Sequence, residues 1–156
     1  MGWLFQSRLR AARRKRRQRG NAAIEIALLS PWIFFLFIGV CDVGFYTTEM
    51  IGVENAARVA AEYTSQNATV AADSAGACAR ALNELGALPN VGSQTDCSSS
   101  VSSNAVVVTT ATVTGPDSEP ATSVTVSYRG AQLIPIPGTL TGALTITRSV
   151  KMRIKP

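Results

Sequence analysis

The stretch from Ile26 to Tyr46, IALLSPWIFFLFIGVCDVGFY, decides how this chain folds. It carries a single charge, Asp42. As a helix rising 1.5 Å per residue it covers about 31 Å, enough to span the hydrocarbon core of a bilayer. The run Trp32-Ile33-Phe34-Phe35-Leu36-Phe37-Ile38 is apolar around the whole helical circumference, which suits lipid on every side better than a protein core on one. Pro31 removes one helical hydrogen bond and predicts a helix kink, a defect that membrane helices accommodate. Asp42-Val43-Gly44-Phe45-Tyr46-Thr47-Thr48-Glu49 follows where a secretory signal would place a small-residue cleavage site, so the span reads as retained.

Immediately upstream the charge pattern changes. The 156-residue chain holds 15 Lys plus Arg against 10 Asp plus Glu, but eight of the basic residues lie in Arg8 to Arg19 with no acid among them. The remainder carries seven against ten, a net charge of −3, so the basic character belongs to this leader alone. A basic chain invites a nucleic-acid reading. Here the cations form one run against an apolar span, with no aromatics beyond Trp3 and Phe5, and no nucleic-acid partner is expected. The positive-inside rule instead makes the leader a cytoplasmic flank and puts everything after about Tyr46 outside the cytoplasm.

Leader and span meet at Arg16-Arg17-Gln18-Arg19-Gly20, then Asn21-Ala22-Ala23-Ile24-Glu25. A small residue at the break and one carboxylate at the mouth of the span read as a processing site and an assembly device. A carboxylate there is costly unless it is neutralised, partnered or able to reach interfacial water. Glu25 thus either docks a partner or snorkels to the headgroups. Asp42 has the same two readings near the outer interface.

Beyond the span the helical pattern continues for some twenty residues. Val53, Ala56, Ala57, Ala60 and Tyr63 recur on one face, and Glu54, Arg58 and Glu62 form an i, i+4 ladder on another. The alanine face suits close approach of a helix or a sheet; high helix propensity explains it equally well. Ser65-Gln66-Asn67-Ala68-Thr69 breaks the pattern. A second helix is predicted from Val70 to Leu85, with Cys78, Ala81, Leu82 and Leu85 on one face and Arg80 paired with Glu84. A polar loop, Ser93 to Asn104, leads into a Val/Thr-rich region.

Strands are predicted over Ala105 to Thr114, Ser123 to Tyr128 and about Ala143 to Ile154, the first two joined through Gly115-Pro116-Asp117-Ser118-Glu119-Pro120. Arg148 interrupts the apolar face of the third and predicts an edge position or a bulge. Leu133-Ile134-Pro135-Ile136-Pro137-Gly138 reads as extended and proline-stiffened. The predicted fold is α+β: a long N-terminal transmembrane helix continuing into a small extracytoplasmic domain, with a second helix and an antiparallel sheet of three to four strands.

Cys41 lies in the apolar run and reads as a small buried hydrophobe, while Cys78 and Cys97 lie in the exported part, where a disulfide can persist. Their bridge would contribute about 3 kcal/mol on the chain-entropy model; two free thiols are the rival reading. With no histidine in the chain and no third ligand at zinc-like spacing, no metal is expected. No nucleophile, base and orienting residue form a recognisable arrangement, so an enzyme is not expected either.

Gly20-Asn21-Ala22-Ala23-Ile24-Glu25 followed by an apolar helix resembles the prepilin processing signal of type IV filament subunits. More closely, GNAAIEIALLSPWIFFLFIGVCDVGFY, with its proline six residues after the glutamate, and the tail LIPIPGTLTGALTITRSVKMR resemble the TadE-like minor pilins, or pseudopilins, of the tight-adherence (Tad or Flp) pilus system. The resemblance implies cleavage between Gly20 and Asn21 by a prepilin peptidase. It also implies pairing of Glu25 with the new N-terminus of a neighbouring subunit, with pilin or pseudopilin partners held through the N-terminal helix. It implies a bacterial inner-membrane precursor with a cytoplasmic N-terminus and an extracytoplasmic C-terminal domain, extracellular once in a pilus, with no cofactor or small-molecule substrate. The domains would be a leader over 1–20, a transmembrane and emergent helix over 21–67 and an extracytoplasmic α+β domain over 68–156. Ile26 stands where major Flp pilins commonly have tyrosine, and the exported domain is larger than theirs, which favours a minor subunit. The alternative is a permanently membrane-anchored binding module that keeps its leader.

Overall fold

The absence of any helix breaker except Pro31 between the leader and Thr64 lets one helix form across both. In the computed structural model, which describes residues 3–97, 104–131 and 144–155 and shows residues 3–21 as helical backbone alone, α1 spans Trp3–Thr64 with Pro31 inside it. It is followed by α2 (Ser74–Leu85), β1 (Val106–Thr114), β2 (Pro120–Arg129) and β3 (Thr145–Arg153). The α+β order is the one expected from the shift from alanine to valine and threonine. The chain divides into two compact units, one ending at Val43 and the other beginning at Gly44.

In the first unit the described side chains belong to a bare apolar helix. Trp32, Phe35, Leu36 and Val40 are each about 70% exposed, and no face is covered by protein. Cys41 is exposed as well, not the buried hydrophobe expected, because no other element packs on this stretch. The helix that includes it is long and apolar enough to cross a membrane, with a mean hydropathy of 2.2 in its most apolar window.

The second unit is built on residues 44–64 of α1. Val53, Ala56, Ala57, Ala60 and Ala61 are fully buried, in a core shared with Ala77, Cys78, Ala81 and Leu85 of α2 and with Val106, Val108, Val124, Val126, Tyr128 and Ile146 of the sheet. Alanine on the helix allows close backbone approach, and the branched strand residues fill the space between; each fully buried valine contributes about 1.5–3 kcal/mol. On the solvent side of α1, Glu54 and Arg58 form the predicted i, i+4 pair at 3.5 Å, both well exposed and so of little energetic weight.

The turn after α1 is held by local polar bonds. Ser65 Oγ donates to the Glu62 carbonyl at 2.9 Å, and Asn67 Oδ1 accepts from the backbone of Thr69 and Val70 at 3.0 and 3.1 Å. The second helix begins at Ser74 rather than Val70, because Asp73 is its N-cap: Asp73 Oδ1 accepts from Ala75 N and Gly76 N at 3.1 and 3.0 Å. Arg80 lies over the Tyr63 ring, 5.5 Å from its centroid, in place of the predicted pairing with Glu84. A Cβ at Gly76 would overlap the Tyr63 ring and the Asp73 carboxylate, so the helix start packs on Tyr63 only because this residue has no side chain. Cys78 and Cys97 form a disulfide, with Cα atoms 5.8 Å apart, that ties α2 to the segment leading into β1.

The sheet has three antiparallel strands in the order β1-β2-β3. Register runs without interruption from Val106↔Tyr128 to Thr114↔Pro120 and from Ala121↔Arg153 to Arg129↔Thr145. Arg148 therefore marks an edge strand and not a bulge. The second strand extends beyond its predicted bounds to Pro120, a first-residue position where a missing N–H is tolerated and whose carbonyl accepts from Ile154 N at 3.0 Å. Ser118 closes the β1–β2 turn with a φ of 64°, and Arg153 reaches back to Asp117 and Glu119 at 3.5 and 3.7 Å. On the outer face, hydroxyl pairs Thr125–Ser149 and Ser127–Thr147 lie at 3.1 and 3.0 Å. The extended reading of Leu133 to Gly138, most of the Ser93 to Asn104 loop after Cys97, and Ala143 lie outside the described residues.

Two outcomes test this packing in the detergent-solubilised protein. Replacing Cys78 and Cys97 together by serine should lower stability by about 3 kcal/mol, measured by denaturant unfolding followed by circular dichroism. Gly76→Ala should cost about 1–3 kcal/mol by overpacking against Tyr63, and Tyr63→Phe should not rescue it, because the ring itself is in the way.

Candidate assembly site

Glu25 lies on α1 four residues after Asn21, which on a helix is one turn along the same face and a rise of about 6 Å. Its side chain is exposed, and among the described residues it has no hydrogen bond or ion pair. Gly20 and Asn21 are in the helix, their side chains outside the description. Pro31 follows within the same helix, and Asp42, half-exposed, comes about 25 Å further along the axis than Glu25. Between the two acids every residue is uncharged and nearly all are exposed. This stretch therefore presents an apolar helix surface with a carboxylate near each end, and among the described residues no side-chain hydrogen bond or ion pair engages either carboxylate. Cys78 and Cys97 belong to the other unit, where they form the disulfide.

The folded unit contains polar groupings that the sequence did not disclose. Glu49 is 6% exposed, one helical turn before Val53 on the buried stripe, and accepts from the Tyr128 hydroxyl at 3.4 Å; the same hydroxyl lies 2.9 Å from the Pro89 carbonyl. A Cβ at Gly130 would come within 2.7 Å of the Glu49 carboxylate, so a glycine is needed where β2 ends. Burial, then the Glu49 charge and its hydrogen bond, push the Tyr128 phenol up to about 12. A sequence signal existed: a carboxylate at i−4 from a core valine demands a buried donor, and Tyr128 is an inward position of β2.

The second grouping lies at the helix turn. Tyr63 Oη donates to Asp73 Oδ2 at 2.7 Å. The Gly76 amide, followed by the Tyr63 hydroxyl, holds the Asp73 carboxyl below its ordinary range, and the same bond raises the Tyr63 phenol. Thr122, buried in β2, bridges Thr64 Oγ1 at 3.0 Å and the Ala71 carbonyl at 3.1 Å. Among the described residues no buried side-chain polar atom lacks a partner. These groups are spent on the fold. A cavity of about 280 Å³ beside the disulfide has Asp96 as its one ionisable lining residue, with no second group for acid–base work.

The exposed apolar surface among the described residues lies mainly on α1, and it is there that the comparison with known families finds a match. Residues 20–62 match the TadE-like protein family. In that segment the chain is TadE-like. The match begins at Gly20 and includes Glu25, Pro31 and the alanine stripe, ending two residues before α1 does. TadE-like proteins are pilin-like and Tad pilus-associated, structural rather than catalytic, and the apolar helix is compatible with membrane anchoring. Comparison with curated proteins and with solved structures gave no match.

Tyr128 yields a pH test. Its folded pKa lies above the unfolded value near 10, so its contribution is complete below pH 10 and is lost as the pH rises from about 10 to about 12. Tyr128→Phe should abolish that alkaline loss, on the order of 2–3 kcal/mol in the wild type, while costing about 1–3 kcal/mol at neutral pH by leaving the Pro89 carbonyl without its donor. Unfolding midpoints between pH 7 and 12 measure both effects.

Proposed function

We propose that this TadE-like chain is a minor pilin or pseudopilin of a Tad/Flp-type pilus, made as a single-pass inner-membrane precursor with a cytoplasmic N-terminus. Residues 1–20 are the leader, 21–67 the transmembrane and emergent helix, and 68–156 the extracytoplasmic domain. A prepilin peptidase cuts between Gly20 and Asn21. The processed chain joins other pilin or pseudopilin subunits through its helix and contributes to pilus biogenesis and surface adherence.

The observation that carries this reading is the family match starting at Gly20 on a helix whose apolar surface no part of the described fold covers. Chemistry supports it. Cleavage would leave an ammonium group on Asn21, and the positive end of the shortened helix would lie beside the same carboxylate, so Glu25 has a cation to favour. Within one chain amine and acid are a turn apart; between chains they set a stagger, and helices without a covered face have lipid or each other to meet.

The mature protein isolated from its host should have an intact mass and an N-terminal sequence beginning at Asn21. Glu25→Ala should be cleaved and inserted normally yet be absent from sheared filaments. A mature chain that keeps Met1 to Gly20 overturns the processing claim and leaves an anchored binding module; normal incorporation of Glu25→Ala overturns the pairing role.

A further inference from the structure

The two edges of the sheet are unlike. On β3 the edge carries Arg148, Lys151 and Arg153, the charged residues with which natural sheets block further pairing. Along β1, Val106–Thr114, there is no charge, no proline and no interruption of register.

The hydrogen bonds show which backbone groups of β1 face outward. Ala105 and Gly115, the odd-numbered neighbours of the strand, bond to Arg129 and Glu119 on the β2 side, whereas Val108 N donates to the Cys97 carbonyl at 3.3 Å. Val106 is bonded at both its N–H and its C=O by the Gln94 side chain, at 3.0 and 2.6 Å. In an antiparallel ladder the direction alternates, so the even-numbered residues point away from β2. Residues 94–97 cover Val106 and Val108. Past them, the N–H and C=O groups of Thr110, Thr112 and Thr114 have no partner among the described residues; the Thr110 hydroxyl alone is engaged, on the Ala72 carbonyl at 3.2 Å.

We propose that residues 109–114 of β1 pair with the same strand of a second copy of this chain, antiparallel about a twofold axis through Thr112. In this register Thr112 faces its own copy, Thr110 faces Thr114 and Ala111 faces Val113, so every exposed backbone group of the three threonines is satisfied reciprocally. Charge selects this pairing over the others. Joining β3 to β3 would set Arg148, Lys151 and Arg153 against their copies, and joining β1 to β3 would press a neutral edge onto a guarded one; β1 to β1 sets no charged strand residue against another. A contact of this length is small beside a standard interface, and it forms because copies are already concentrated through their helices. In that respect it rests on the assembly reading above.

The test uses full-length protein in host membranes, in a Cys41→Ser background. Across the proposed axis the Thr112 Cα atoms lie about 5.5 Å apart, within disulfide reach. Mild oxidation should link Thr112→Cys into a covalent dimer of this chain, and Ser149→Cys on the β3 edge should stay monomeric. Adding Thr110→Pro, which removes an outward N–H and no bond to β2, should abolish the Thr112→Cys dimer. Absence of the dimer, equal linkage at Ser149, or a product containing a different protein overturns the strand pairing. Filament incorporation of unoxidised Thr112→Cys is followed in parallel: incorporation without the dimer overturns this inference and spares the helix reading, while loss of incorporation with the mature N-terminus intact counts against helix-driven assembly and removes the ground on which the pairing rests.

Discussion

The stripe of α1 formed by Glu49, Val53, Ala56, Ala57, Ala60 and Ala61 is the surface on which the whole folded unit is assembled. A three-stranded sheet with short branched side chains cannot exclude water from both faces, and a helix of twelve residues adds little area. Against alanine the strands come close enough for Val124, Val126 and Tyr128 of the central strand to be fully buried. Larger residues on the stripe would widen that gap. The Cys78–Cys97 bond and the Thr64–Thr122–Ala71 contacts then fasten the periphery to a core the helix has already defined.

One helix therefore carries two kinds of surface, and its composition divides accordingly. From Ile26 to Val43 bulky apolar residues occupy every side; from Val53 small residues occupy one side and Glu54, Arg58 and Glu62 another. Lipid requires hydrophobicity without direction, a folded partner requires a fitted face. The TadE-like match covers both halves and ends within two residues of the helix end, so the matched segment of this chain holds both surfaces on one helix.

Much of this was legible in the sequence because it is periodic. The span, the Val53 to Ala60 face, the Glu54–Arg58 pair and three strands all follow from spacings within a few residues. The misplaced start of α2 came from giving apolar spacing priority over Asp73 as an N-cap. Arg80 was assigned to Glu84 because both lie on one helix, but the Tyr63 ring, brought in from α1, offered a closer partner. Glu49 and Tyr128, 79 positions apart, meet only through the tertiary fold: helical spacing can flag Glu49 as a buried carboxylate that needs a donor, but it does not single out Tyr128 as that donor. In the candidate site, Gly20 stands out as the small residue where the basic run ends and Glu25 as the lone acid at the mouth of the apolar run. The partner expected for Glu25 is a different molecule, and no spacing inside one chain can display it.

The leader's charge makes the cleavage more than a tailoring step in the proposed assembly. A helix drawn from the bilayer toward the exported side must take its cytoplasmic flank through hydrocarbon. At about 2.5–3.5 kcal/mol for each Lys or Arg at the membrane centre, eight such residues oppose the movement by on the order of 20 kcal/mol, far beyond what contacts between helices return. Glu25 presents one such increment and can shed it by binding a proton or an ammonium group. Removing residues 1–20 thus eliminates nearly all of the electrostatic barrier while creating, on Asn21, the cation that best stabilises the charge left behind. In that proposal the basic flank orients the precursor and holds it in place, and its loss is what would make extraction thermodynamically accessible.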